Sequence, residues 1–287
     1  MNGSRHRKHA ANAGVTLVEL MVAIVAGLLL LGGMIEIFIA GKQGFVMQQG
    51  VSQAQESGRN GTFMLGRVVR QAGYYRETTL RRSLIPPLFP AGAPPGGSPI
   101  VFGTEATGLN NSDTLTVSFQ SNEDGAVLDC LGNFVTCDPG SGPDATCTAN
   151  PVENALTISN TFFLTTNASN GQQSLSCRRD VVQRKDSPAT VITPAGGDQQ
   201  PLIDGVTDFQ ILYGIDTTGD PAADQYVTAA GVADWNAVRA VRITLVTNSV
   251  DKVAAGAAAY APGTQVRTDN QQLLQSYTET IQLRRSR

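Results

Sequence analysis

The sequence of 287 residues predicts an α+β architecture: one long N-terminal helix, transmembrane and then amphipathic, packed on an antiparallel β-sheet with decorated loops. Three observations carry this. From Leu20 to Ala40 the chain is apolar apart from glycines and Glu36. Met47, Val51, Ala54, Gly58, Gly61, Leu65, Val68 and Ala72 then recur at alternating four- and three-residue steps, which keeps them on one helical face. Beyond residue 112 that period gives way to alternating runs rich in Thr, Val, Ile and Phe, the signature of strands. A hydrophobic content of 41% suffices to bury one substantial core.

Residues 1–14 hold Arg5, Arg7 and Lys8 and no acid. A basic flank before an apolar span keeps that end in the cytoplasm, so the span (15–40) is expected to cross a membrane once and the remainder to be exported. Glu19 to Glu36 covers about 25 Å as helix, enough to cross the hydrocarbon core with its apolar flanks. No A-x-A-like cleavage site interrupts the stretch, which favours a retained anchor over a removed signal peptide. The span lacks proline, so a continuous helix is expected. A carboxylate at bilayer depth costs several kcal/mol, which marks Glu19 as a functional candidate, against the plainer reading that it snorkels to the interface. Glu36, at the far end of the span, reads as a boundary residue.

The helix is expected to continue through 41–76. Gly58 and Gly61 each cost up to about 1 kcal/mol of helix propensity, and their place on the apolar face points to close approach of a sheet. Gly73 stops the run, with Arg67 and Arg70 in its last turns. A Pro/Gly-rich connector, 77–112, follows and reads as surface loop. The β-rich head, 113–287, has its best strand candidates at Thr114–Phe119, Thr161–Thr166, Gly205–Tyr213, Val238–Val246 and Tyr277–Leu283.

Four cysteines, Cys130, Cys137, Cys147 and Cys177, all lie in the exported part, where an even count points to two disulfides. Proximity in sequence favours Cys130 with Cys137 and Cys147 with Cys177, among three pairings. No C-x-x-C is present, which argues against zinc and redox roles. Both histidines, His6 and His9, precede residue 15, so the remaining chain has no Ser-His-Asp or Cys-His constellation and no histidine metal site. Nucleotide-binding glycine motifs are lacking, and no enzymatic activity and no cofactor are expected. One acidic run, Asp216 to Tyr226, offers Asp216, Asp220 and Asp224 as candidate calcium ligands. Its fit to a calcium loop is poor: Thr218 stands where an acid is wanted and Pro221 where the turn glycine belongs. A plain turn between strands is the stronger reading. Three of the 21 Lys and Arg lie before residue 15, so the rest of the chain carries 18 against 24 acids, a balance of −6. That disfavours nucleic acid as a partner.

Gly14-Val15-Thr16-Leu17-Val18-Glu19, running into the apolar span, resembles the type IV prepilin motif. Further along, Gln55-Glu56-Ser57-Gly58-Arg59, Leu65 to Tyr74, Leu202 to Gln210 with Tyr213-Gly214-Ile215-Asp216, and Asp234-Trp235 with Val238 to Ile243 resemble the PilW family of minor pilins. Relatives often have Asp at the position of Val68 and a cysteine near Arg76 and Glu77, so their disulfide pattern does not transfer. The resemblance implies cleavage between Gly14 and Val15 by the prepilin peptidase and N-methylation of Val15. It further implies pairing of Glu19 with the free amine of a neighbouring Val15 once packed. The implied partners are other minor pilins and the major pilin, the inner-membrane assembly platform and a tip adhesin. The implied role is to prime pilus assembly and cap the tip, supporting adhesion and twitching. A J-like minor pseudopilin of a type II secretion system shares the same plan and is the competing reading. A head that binds DNA or a host surface is a third.

Overall fold

The computed structural model describes residues 16–74, 100–120, 128–134, 156–183, 190–191, 198–249, 264–267 and 272–283. Gly14, Val15, Cys137, Cys147 and residues 77–99 of the expected connector lie outside these. The chain divides into two compact units, one ending at Gln48 and one beginning at Gln49. Helix α1 (Leu17–Val69) runs through the boundary.

In the first unit α1 is apolar from Leu20 to Ala40 apart from Glu36 and largely exposed, with Leu17, Leu29, Ile37 and Phe38 each more than 70% exposed. It is long and apolar enough to cross a membrane. Exposing such side chains to water costs about 1.5–3 kcal/mol each, and a bilayer removes that cost.

The second unit contains the rest of α1 and two antiparallel sheets rather than the single sheet expected. The first consists of β1 (Val101–Thr104), β2 (Thr114–Gln120), β3 (Leu156–Thr166), β4 (Gln173–Gln183), β5 (Thr190–Val191) and β6 (Asp198–Asp204). They pair in the order β1-β2-β3-β4-β5, and β6 joins β4 beside β5. The second sheet is ordered β10 (Thr264–Arg267), β11 (Gln272–Gln282), β9 (Val238–Asn248), β7 (Val206–Ile215), β8 (Gln225–Val227).

Gly205 is where the chain leaves one sheet for the other. Its φ of 80° lies in the left-handed region that glycine enters without strain. Its amide donates to the Gln173 carbonyl at 2.8 Å, and its carbonyl accepts from the Asn248 amide at 2.7 Å, so one residue stitches both sheets. A second link comes from the β1–β2 connection. There the Asp113 amide donates to the Phe209 carbonyl at 2.8 Å, while the Asp113 carboxylate accepts from the Ala106 and Ile211 amides.

The core collects the inward faces of all three layers. Leu65, Val68, Val69 and Ala72 come from α1 and its final turn; Leu115, Val117, Phe162, Leu164 and Leu175 from the first sheet; Phe209, Ile211, Val241, Ile243, Leu245 and Ile281 from the second. Register explains the clustering. Leu115 stands opposite Phe162, and Phe162 opposite Cys177. Leu245 stands opposite both Phe209 and Tyr277. The other face of the first sheet is a buried hydroxyl ladder, with Thr116 bonded to Thr161 at 3.0 Å and Ser118 to Ser159 at 2.9 Å.

All five strand candidates fall on strands, three of them wholly, while Gly205 and Leu283 lie just outside β7 and β11. Val101–Thr104 is a strand inside the stretch expected to be connector, held because its four residues pair with Val117 to Thr114. The helix ends at Val69 rather than Gly73. Residues 70–73 form a turn closed by Gly73 at φ 70°, whose amide donates to the Ser118 carbonyl at 3.0 Å.

Candidate functional site

The candidate residues fall into four places: the start of α1, the seam between α1 and the second sheet, a disulfide-held loop, and the acidic turn. Among the described residues they do not converge on one cavity.

At the start of α1, Glu19 has a partner that the sequence reading missed. The Thr16 amide and hydroxyl both donate to Glu19 Oε2 at 3.0 Å, and the Glu19 amide donates to Thr16 Oγ1 at 3.3 Å. This is a reciprocal capping box, which satisfies two of the amide donors that every helix start leaves unpaired. Carboxylate charge is also favoured at the positive end of the helix dipole. The signal was present in sequence as Thr-x-x-Glu ahead of an apolar run. Cleavage and methylation at Gly14 and Val15, and a pairing with a neighbouring amine, concern residues outside the described part.

Along the seam the expected close approach is present and resolved to single contacts. A Cβ placed on Gly58 would lie 2.0 Å from the Tyr277 ring, and one on Gly61 would lie 2.8 Å from Leu245 Cδ1. Hydrogen at Gly58 lets the helix backbone rest on β11, and at Gly61 it leaves the Leu245 side chain of β9 its place against the helix. The Thr247 hydroxyl donates to the Ala54 carbonyl at 2.9 Å, and Arg70 pairs with Glu279 at 3.1 Å. Ala54, Gly58, Gly61 and Leu65 therefore form the helix's contact face, as the spacing predicts.

Cys130 is bonded to Cys177 in β4. The pairings of Cys130 with Cys137 and of Cys147 with Cys177 are thereby overturned. Proximity in sequence misled because β3 and β4 carry Cys177 to the core face of the sheet, directly under the loop 128–134. The same loop is held twice more. The Cys130 amide donates to Asn160 Oδ1, and the fully buried Asp129 accepts from Arg179 at 3.0 Å and from the amides of Leu131 and Asn133. Phe134, at the edge of this loop, is 61% exposed.

The acidic turn spends its carboxylates on itself. Asp216 Oδ1 accepts from the Thr218 and Gly219 amides, and Oδ2 from Arg239 at 2.8 Å. Burial pushes the Asp216 carboxyl up, yet those donors outweigh it and hold it below the usual carboxylate range. Asp224 Oδ2 accepts from the Thr217 amide and hydroxyl and from the Thr218 hydroxyl, and these bonds lower it likewise. Asp220 accepts from the Ala222 amide. The three carboxylates are thus turned toward separate backbone donors, and no group of three or more Asp, Glu, His or Cys among the described residues is arranged to hold a metal ion. Beside the turn, Tyr213 and Trp235 meet edge to face at 4.8 Å and close the end of the core.

Residues 161–285 match the family model described as Type IV Pilus-assembly protein W. The match covers most of both sheets and stops short of α1. No curated protein and no solved structure matches the chain. Over that stretch, which is less than half of the chain, the head is similar to that family.

Proposed function

We propose, from the similarity over residues 161–285, that this chain is a minor pilin of the type IV pilus, acting in the inner-membrane complex that primes assembly and forms the tip. The carrying observation is one helix, α1, that is exposed and apolar from Leu20 to Ala40 apart from Glu36, and whose stretch from Gln49 packs within a β-rich head of which residues 161–285 match the pilus-assembly family. The bare part suits packing in lipid or among similar helices, and the head offers surface to other subunits. In this reading the peptidase cuts between Gly14 and Val15, Val15 is methylated, and the chain spans the inner membrane with its head in the periplasm. Other minor pilins, the major pilin and the assembly platform are its partners, and adhesion and twitching depend on it indirectly through the filament.

No catalytic chemistry is needed for such a role, and neither a cofactor nor calcium enters it. A deletion in the native host, scored for sheared surface pili and for secreted enzymes side by side, tests the assignment. Loss of pili with secretion intact is expected. Normal pili with an export defect would move the chain to the pseudopilins of a type II secretion system.

A further inference from the structure

We infer that Asn170 is a site of spontaneous covalent modification: the backbone nitrogen of Gly171 attacks its side-chain amide, and the acid that results unties the β3–β4 turn from Asp204. Asparagine followed by glycine is the pair most open to this reaction, because glycine has no side chain to crowd the attacking nitrogen. The sequence holds three such pairs, at 2–3, 60–61 and 170–171. The first lies outside the described residues. Asn60-Gly61 sits inside α1, where the Gly61 amide belongs to the helix ladder and a Cβ would already meet Leu245. Asn170-Gly171 is exposed in the turn between β3 and β4, with Gly171 at φ 71° and nothing within 4 Å of the place a Cβ would take.

The turn arranges two of the three groups the reaction needs. The electrophile is Asn170 Cγ. Its Oδ1 accepts from the Gln172 amide at 3.0 Å, so a donor already faces the oxygen on which charge develops as the carbon becomes tetrahedral. The leaving group is Nδ2, which donates to Asp204 Oδ2 at 2.7 Å. A carboxylate beside that nitrogen favours its departure in protonated form. The nucleophile is the Gly171 nitrogen, and there the turn applies a brake. Its N–H donates to the Asn167 carbonyl at 2.8 Å, a bond that must open before the proton can leave. Local opening of an exposed turn therefore paces the reaction, a far smaller event than opening the buried helix at Gly61.

Hydroxide takes the Gly171 amide proton, the nitrogen bonds to Asn170 Cγ, and the Cγ–Nδ2 bond breaks. Ammonia leaves with a proton returned by water, and a five-membered imide remains. Water then adds to either imide carbonyl and cleaves one C–N bond, leaving aspartate or isoaspartate at position 170. Both products lose the Nδ2–H donor and bring a new carboxylate to the turn, near Asp204, whose remaining partners are Asn167 and Ser174. Like charges so placed repel. Asp204 precedes Gly205, the residue that joins the two sheets, so a change in one turn reaches the junction of the head.

The test incubates the full chain in detergent, in mildly alkaline buffer made with heavy-oxygen water, and follows each Asn-Gly peptide by mass spectrometry. Conversion at position 170 is expected to run about tenfold faster than at 60, where the helix must open first. Each event should add one heavy oxygen, and isoaspartate should exceed aspartate, the mark of an imide that opens on both sides. Gln172→Pro removes the donor to Oδ1 while leaving the Gln172 carbonyl free to accept from Asn167. It should slow conversion at 170 about tenfold, less than in a water-excluded oxyanion hole because the turn is exposed, and leave position 60 unchanged. In Asn170→Asp, hydrogen exchange at the Gly205 amide should quicken about fivefold, as for the loss of one hydrogen bond. Conversion at 170 no faster than at 60, aspartate without isoaspartate, or a rate untouched by Gln172→Pro would overturn the assigned reaction. Unchanged exchange at Gly205 in Asn170→Asp would overturn the untying.

Discussion

Single residues decide how the helix meets the head. Gly58 faces an aromatic ring held in a sheet, whereas Gly61 faces the mobile end of a leucine. Replacing either by Ala gains up to about 1 kcal/mol of helix propensity. Overpacking costs about 1–3 kcal/mol, and only at Gly58 is the obstacle a ring that cannot sidestep within its rotamer. Gly58→Ala is therefore expected to lose about 1–2 kcal/mol in urea unfolding, and Gly61→Ala to stay within about 1 kcal/mol of the parent. Charge has equally local consequences. Burial pushes the Asp204 carboxyl up, but bonds from Ser174, Asn167 and Asn170 outweigh it and leave its value depressed. A depressed carboxylate adds stability above its unfolded value, about pH 3.9, and that share is lost as pH falls through the folded value. Between pH 5 and 3 the parent should accordingly lose stability more steeply than Asp204→Asn, as followed by tryptophan fluorescence at each pH.

At the level of elements, the first sheet depends on a loop far from it in sequence. Cys130 and Cys177 are 47 residues apart, and removing such a closure typically costs 2–5 kcal/mol. Converting both to Ser should lower head stability by about 2–4 kcal/mol without unfolding α1. Arg179→Ala should cost a comparable amount, about 3 kcal/mol, because it strands the fully buried Asp129. Equal unfolding midpoints for parent and Arg179→Ala would show that the ion pair contributes nothing net. The same strand shows where sequence patterning runs out. Helix α1 and strands β2, β7 and β9 were legible because small, apolar and polar residues repeat at 3.6 or 2. Strand β4 was not, since the charges of Arg178-Arg179-Asp180 break the apolar alternation, and the partners of Arg179, Asp129 and Asp198, come from elsewhere in the chain. Strand β6 was hidden by its Asp-Gln-Gln-Pro start, and the split into two sheets by the fact that one glycine makes the crossing. The Glu19 cap was local and readable, whereas the cysteine pairing was tertiary and could not be read from spacing.

Across the whole molecule, Glu19 serves two readings that a pair of substitutions separates. As a cap its oxygen accepts from Thr16, and glutamine can do the same. As the partner of a neighbouring amine it needs its negative charge. Glu19→Gln should therefore keep helix content and peptidase cleavage at parent levels while reducing co-purification with other pilins. Glu19→Ala should lose both the cap and the pairing. Full assembly by Glu19→Gln would reduce the residue to a helix cap. The seam of α1 has a mechanical corollary. Its contacts with the second sheet, from Ala54 to Arg70, are strung along the helix axis. Within the second unit, tension along the axis of α1 loads them in shear, all at once, whereas a sideways pull would peel them in turn. A helix seated in this way resists being stripped from the sheet it lies on, and it transmits an axial pull directly into the first residues of the core.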